Sequence, residues 1–217
     1  MRFLGSRRSR AVVHHLNDSD HDDEYICRDD KEPSMSLTVW RKSLLYCCCS
    51  GFTVIGSKGD LVFRVDNYCG HPGEIFLLDD SGIPIYTISH NHKKLSLHDG
   101  WQVFEGESSS KKNKKTPVFS MKKNASILHG KSNVIAHVFD GTSARDRRPA
   151  YTVEGSYMKR SCYVFDTSRN RVAEIKKKES SHGCALFGSE VFQLIVASCF
   201  DPALAMAIVL MLDQMFC

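Results

Sequence analysis

Lysines form the clearest groups of chemically similar side chains in this chain of 217 residues. Two groups are candidates for contact with anionic lipid: Lys111, Lys112, Lys114 and Lys115, and then Lys176, Lys177 and Lys178. Clustered lysines near an anionic leaflet contribute about 1 kcal/mol each by electrostatics alone. The alternative is that both groups lie on solvated loops and bind nothing. No aromatic or arginine-rich pattern interleaves with them, so we expect no nucleic-acid partner.

Nine cysteines are the second group of reactive side chains. No two of them have the Cys-x-x-Cys spacing, so zinc-ribbon and redox sites have no support. The consecutive Cys47, Cys48 and Cys49 could carry S-acyl chains close to a membrane. The alternative is that they end a buried or half-buried strand, because an unmodified cysteine behaves as a small hydrophobic residue.

Histidines beside acidic residues are the third candidate. His90, His92 and the pair His98-Asp99 could form a metal site or an acid–base pair, although an aspartate that caps a turn is the simpler role for Asp99. The sequence has no P-loop, no Gly-x-Ser-x-Gly and no His-Glu-x-x-His motif. We therefore expect a protein that is not an enzyme and needs no cofactor.

The first 36 residues differ from the rest in composition. They hold six basic and eight acidic residues, including a run at 18–24, and few large apolar ones. Such a segment buries too little apolar surface to offset the entropy of ordering. We predict a disordered leader over 1–36 and one domain over 37–217. With no secretory signal visible, we expect an intracellular protein in the cytoplasm, in the nucleus or peripheral at the plasma membrane.

Most of the chain from Leu37 onward reads as short strands separated by turns, which is typical of an all-β barrel or sandwich. Runs rich in Val, Ile, Phe and Tyr recur, and turn residues at 57–60 and 79–82 indicate two hairpins. Pro84 should lie at an edge or at the start of its strand. The predicted strands are 37–40, 51–55, 61–65, 74–78, 83–88, 101–105, 117–122, 134–139, 151–154, 161–165, 172–176 and 191–197.

The last stretch predicts one helix. Asp201 is a good N-cap and Pro202 a good first residue, and no polar side chain occurs from Ala203 to Leu212. A helix that is apolar on every side must be surrounded by protein or by lipid. Because Asp201-Pro202 interrupts the longer apolar span, we favour a helix buried in a wide barrel over a tail anchor in the membrane.

Several segments in order resemble the plant LURP-one-related family, a branch of the tubby C-terminal-like superfamily. They are residues 37–44, 61–66, 95–101, 154–157, 160–162 and 201–215. The resemblance implies a mainly β fold, a twelve-stranded closed antiparallel barrel that encloses a hydrophobic C-terminal helix. Relatives in the superfamily include tubby-like proteins, which bind phosphoinositides, and phospholipid scramblases. The resemblance supplies no lipid-binding residue that can be carried over to this sequence.

Two hypotheses for function follow. In the first, the chain is a non-enzymatic, membrane-associating signalling module that contacts anionic lipid through its lysines. In the second, it is a protein-interaction adaptor in plant defence or growth signalling, with residues 1–36 as the docking segment. The sequence does not specify the lipid, the signalling partner or the oligomeric state.

Overall fold

Twelve β-strands form one closed antiparallel barrel in the computed structural model of the chain. The structure describes residues 34–42, 51–66, 73–90, 100–107, 116–124, 132–141, 148–178 and 188–217. The strands are β1 (Ser34–Lys42), β2 (Gly51–Ile55), β3 (Leu61–Asp66), β4 (Glu74–Leu78), β5 (Pro84–His90), β6 (Gly100–Glu105), β7 (Phe119–Lys123), β8 (Val134–Asp140), β9 (Tyr151–Ser156), β10 (Ser161–Phe165), β11 (Arg171–Lys177) and β12 (Val191–Ala197).

Strand order follows the sequence around the barrel. Each strand pairs with the next one along the chain, and β1 closes the barrel by pairing with β12. That last pairing runs from Ser34 opposite Ala197 to Trp40 opposite Val191. A closed barrel leaves no strand edge unpaired, which removes a common route to aggregation.

The predicted strands and hairpins are confirmed, with small shifts in their bounds. The turns at 57–60 and 79–82 join paired strands, β2 with β3 and β4 with β5. In the first turn Gly59 has a φ of 85°, a conformation that costs a glycine little. Pro84 is the first residue of β5, as its missing N–H requires. β1 is longer than predicted at both ends, and it includes residues 34–36 of the predicted leader 1–36. The rest of that segment, residues 1–33, lies outside the described part.

Buried and more exposed residues alternate along the strands, and the buried ones form the core. In β12 the buried residues Phe192, Leu194 and Val196 alternate with partly exposed neighbours, and β1 alternates in the same way at Leu37 and Val39. Side chains of a strand point to opposite faces in turn, so these residues face the barrel interior. They form one apolar cluster with the side chains of the C-terminal helix.

The helix α1 (Pro202–Phe216) fills the barrel. Every residue from Ala203 to Asp213 is buried, on all sides of the helix. A barrel of twelve strands is too wide for its own side chains to fill, so the helix supplies the missing apolar volume. The prediction of a helix enclosed by protein is confirmed. No helix in the described ranges is both long enough and apolar enough to span a bilayer.

The helix gives the barrel two distinguishable ends. At the N-cap end, the Asp201 carboxylate accepts hydrogen bonds from the backbone N–H of Ala203 (2.9 Å) and Leu204 (3.3 Å), as predicted for an N-cap. At the C-cap end, the helix finishes with Asp213 buried and Cys217 as its C-cap. We call these two ends of the barrel the N-cap end and the C-cap end.

Candidate functional site

Of the two predicted lysine groups, one falls within the described residues. The first group lies outside the described residues: Lys111, Lys112, Lys114 and Lys115. The strand that precedes them, β6, ends at Glu105, which is paired with Tyr86; Tyr86 in turn contacts Asp201 at the N-cap end. The second group ends β11 at the C-cap end, where Lys177 is paired with Phe192. The candidate site is therefore built from the second group.

The three consecutive lysines do not share one face. Lys176 is exposed and lies in register with Gln193, a residue of the outward-facing series of β12. Lys177 is in register with Phe192, which is buried in the interior, so Lys177 belongs to the inward-facing series and is exposed only because it lies at the rim. The ammonium group of Lys178 donates a hydrogen bond to Thr38 Oγ1 over 2.8 Å, on the outer wall. Lys176 and Lys178 are thus brought together, and Lys177 is not.

The neighbouring outer wall of β1 supplies two further side chains. Trp40 and Lys42 follow Thr38 at every second position, so all three point away from the interior. Trp40 is 48% exposed, and Lys42 Nζ lies 5.9 Å from the centroid of its ring. We call Thr38, Trp40, Lys42, Lys176 and Lys178 the wall patch.

The register across β12 sets the width of the wall patch. Gln193 is paired with Thr38 on one side and with Lys176 on the other. Lys176 is therefore two strand spacings from Thr38, about 10 Å at the usual separation of strands. The patch covers the outside of β11, β12 and β1 near the C-cap end.

Two acidic side chains lie near the wall patch, and each is close to an arginine. Glu174, two residues before Lys176 on the same face, forms an ion pair with Arg171 at 3.5 Å. Glu190, at the start of β12, lies 3.7 Å from Arg41. The three lysines of the patch therefore give this wall a net positive charge.

Trp40 and Lys42 were not among the residues predicted from the sequence. Their alternation with buried Leu37 and Val39 was a usable signal, because it places an aromatic ring and a cation on the solvent side of one strand. Their proximity to Lys176 and Lys178 had no such signal, since it depends on the pairing of β1 with β12.

A second polar cluster lies inside the C-cap end. Asp213, only 2% exposed, accepts a hydrogen bond from Tyr157 Oη at 3.1 Å and forms an ion pair with Arg41 Nε at 3.4 Å. The Arg160 guanidinium lies 4.3 Å from the ring centroids of both Tyr157 and Phe192. Burial, and then the Asp213 carboxylate, raises the pKa of the Tyr157 phenol well above its usual range. These groups are engaged with one another, which indicates that they hold the helix end in place.

A tyrosine also contacts the helix at the N-cap end. Tyr86 Oη donates a hydrogen bond to the Asp201 carboxylate over 3.1 Å. Burial and the nearby negative charge of Asp201 raise the pKa of Tyr86 to about 12. The contact therefore couples β5 to the start of the helix at neutral pH.

The cysteine and histidine candidates have no reactive arrangement in the described part of the chain. Cys162 is buried, and burial raises the pKa of its thiol to about 12, so it is an unreactive core residue. The His90 ring packs edge-on to Trp101, with centroids 5.0 Å apart. Within the described ranges, no three His, Cys, Asp or Glu side chains are grouped to hold a metal ion. Cys47, Cys48, Cys49, His92, His98 and Asp99 lie outside those ranges.

Comparisons with known proteins agree with the fold. A family model described as LURP-one-related matches residues 35–213. Protein LURP-one-related 8 of Arabidopsis thaliana is 43% identical over 197 residues, which cover 89% of this chain and 92% of that protein. Protein LURP-one-related 17 of the same plant is 44% identical over 187 residues, 83% of each chain. An X-ray structure of another Arabidopsis thaliana protein aligns with a TM-score of 0.60 at 24% identity, covering 84% of this chain and 91% of that one, and shows the shared fold alone.

Proposed function

The chain belongs to the LURP-one-related family, and we propose that it acts as a non-enzymatic, membrane-associating module that binds anionic lipid through the wall patch. The observation that carries this proposal is that Lys42, Lys176 and Lys178 lie on the same outer wall as an exposed Trp40. The superfamily resemblance, which includes lipid-binding relatives, points in the same direction.

Charge gives the patch its expected affinity. Three lysines at about 1 kcal/mol each amount to roughly 3 kcal/mol, or about a 100-fold change in affinity for an anionic leaflet. This attraction is screened beyond a Debye length of about 8 Å at physiological salt. Binding should therefore weaken steeply as salt is added, and it should be absent on neutral lipid.

The interior of the barrel supports the non-enzymatic part of the proposal. The helix occupies the space in which other wide barrels hold a ligand. The buried ionisable side chains Tyr157, Arg160 and Asp213 contact one another and the helix. These contacts assign the three side chains a role in holding the helix end.

Sedimentation with vesicles tests the proposal. Full-length protein is mixed at 0.15 M salt with vesicles of phosphatidylcholine alone or with added phosphatidylserine, and the bound fraction is measured over a range of lipid concentrations. We expect binding to the anionic vesicles only. The variant with Lys42, Lys176 and Lys178 changed to Gln should lose most of it. Equal binding to both vesicle types would reject the proposal and leave the adaptor hypothesis as the better account.

The first lysine group can be tested in the same assay. Changing Lys111, Lys112, Lys114 and Lys115 to Gln removes four charges, one more than the wall variant removes. If charge alone decided binding, this variant would lose more affinity than the wall variant. We expect it to lose less, because the contact surface that we propose is the wall patch.

A further inference from the structure

Trp40 differs from the other apolar side chains on the barrel surface. In the described ranges the large hydrophobic residues exposed most are Met35, Trp40, Leu61, Ile83 and Met158, and Trp40 is the one aromatic residue among them. It lies on the wall of the barrel in line with Thr38 and Lys42, and it pairs with Val191 and Thr53. An amphipathic indole ring among lysines is the combination found at the boundary between water and membrane.

The lysines of the wall patch are spread out and do not converge on one point. Lys42 lies over the Trp40 ring, and Lys178 is hydrogen-bonded to Thr38. Lys176 is separated from these β1 residues by β12. An ammonium group is a point charge on a flexible stem and lacks the planar fork with which arginine grips one phosphate. Arg171, five residues before Lys176 on β11, forms an ion pair with Glu174 and lies over the Tyr163 ring. The patch therefore has the geometry of a charged surface and not of a pocket for one headgroup.

From these two observations we infer that the barrel lies side-on to the membrane, with Trp40 in the headgroup layer. Lys42, Lys176 and Lys178 then respond to the density of negative charge on the leaflet and not to the identity of one headgroup. This inference rests on the proposed function. It adds the orientation of the barrel and the property of the membrane that the patch detects.

Tryptophan fluorescence tests the orientation. The chain has two tryptophans, so Trp101→Phe leaves Trp40 as the single reporter. On phosphatidylserine vesicles we expect the Trp40 emission to shift to shorter wavelength and to be quenched by brominated lipids. For a matched control, Ile83→Trp in a chain that also carries Trp40→Phe and Trp101→Phe places the reporter in the β4–β5 turn. Its emission should not change.

The outcomes separate the inference from the function. If the protein sediments with anionic vesicles while Trp40 emission stays unchanged, or if the reporter at position 83 shifts instead, another face contacts the membrane and the inference is overturned. If the protein does not sediment at all, the proposed function itself fails.

Vesicles of matched charge test whether the lysines respond to charge density and not to the identity of one headgroup. Phosphatidylserine and phosphatidylinositol bisphosphate are compared at contents that give the same total negative charge. We expect apparent dissociation constants that agree within about threefold, since both surfaces present the same charge density. A preference of tenfold or more for the bisphosphate at equal charge would show recognition of a headgroup and would overturn the inference.

Discussion

Tyr157 donates a hydrogen bond from its hydroxyl to the buried carboxylate of Asp213 across 3.1 Å, and this contact ties the β9–β10 turn to the last helical turns. A hydrogen bond to a buried charge contributes about 1.5–3 kcal/mol. Tyr157→Phe should lower the free energy of unfolding by that amount, measured by urea denaturation. Tyr163→Phe, which removes a hydroxyl from the outer wall, is the control and should change it by less than about 0.5 kcal/mol. Equal effects of the two changes would show that the contact does not stabilise the helix end.

Ala207 tests whether the helix is enclosed. It is fully buried at the middle of α1, so a lysine there would place an uncompensated charge in the core. We expect Ala207→Lys to abolish the cooperative thermal transition seen by circular dichroism. The control is Gln214→Lys, at an exposed position of the same helix, which should melt like the wild type. A cooperative transition close to wild type for Ala207→Lys would contradict the enclosed helix.

Gly155 marks a close approach of two strands. Its φ is 109°, and a Cβ added there would lie 2.2 Å from the Ser161 carbonyl oxygen on β10. Gly155→Ala should therefore destabilise the barrel by at least about 2 kcal/mol in urea denaturation. Gly188→Ala is the matched control, because a Cβ added at Gly188 has no neighbouring atom within 4 Å. Surface substitutions usually change the free energy of unfolding by less than about 0.5 kcal/mol. A cost that small for Gly155→Ala would mean that the strands can separate at this point.

The raised pKa of Tyr86 predicts how the stability of the fold changes at alkaline pH. The folded protein raises the pKa of Tyr86 to about 12 from a reference of 10.0, chiefly by burial and then through Asp201. The folded state therefore holds the phenolic proton more tightly than the unfolded state does. The resulting stabilisation is complete below pH 10 and is lost as the pH rises through 12.

The measurement is the melting temperature between pH 8 and pH 12 for the wild type and for Tyr86→Phe. The wild type should lose stability faster than the variant above pH 10. Tyr163→Phe, on the outer wall, should follow the wild type. Identical slopes for the wild type and Tyr86→Phe would contradict the assigned coupling.

Local sequence signals were sufficient for most of the fold. The helix was readable because Asp201 and Pro202 begin it and an apolar run fills it, and these are features of neighbouring residues. The hairpins were readable from their turn residues for the same reason. The number of strands, together with an all-apolar helix, then indicated a barrel wide enough to hold it.

Strand ends and the candidate site depend on pairing, which local signals do not contain. β1 begins at Ser34 because that residue pairs with Ala197, although serine is not a typical strand residue. Lys178 and Thr38 are hydrogen-bonded although 140 residues separate them in sequence. The period-2 pattern assigns a face to each residue, but it does not say which strand lies beside it.

The most direct test of the central claim compares two variants of equal net charge. One changes Lys42, Lys176 and Lys178 to Gln on the wall patch; the other changes Lys58, Lys159 and Lys177 to Gln at exposed positions outside it. Apparent dissociation constants for phosphatidylserine vesicles are measured at 0.15 M salt. We expect the apparent dissociation constant to rise roughly 100-fold for the wall variant and less than about 10-fold for the other variant. Equal losses would mean that overall charge, and not the wall patch, governs binding.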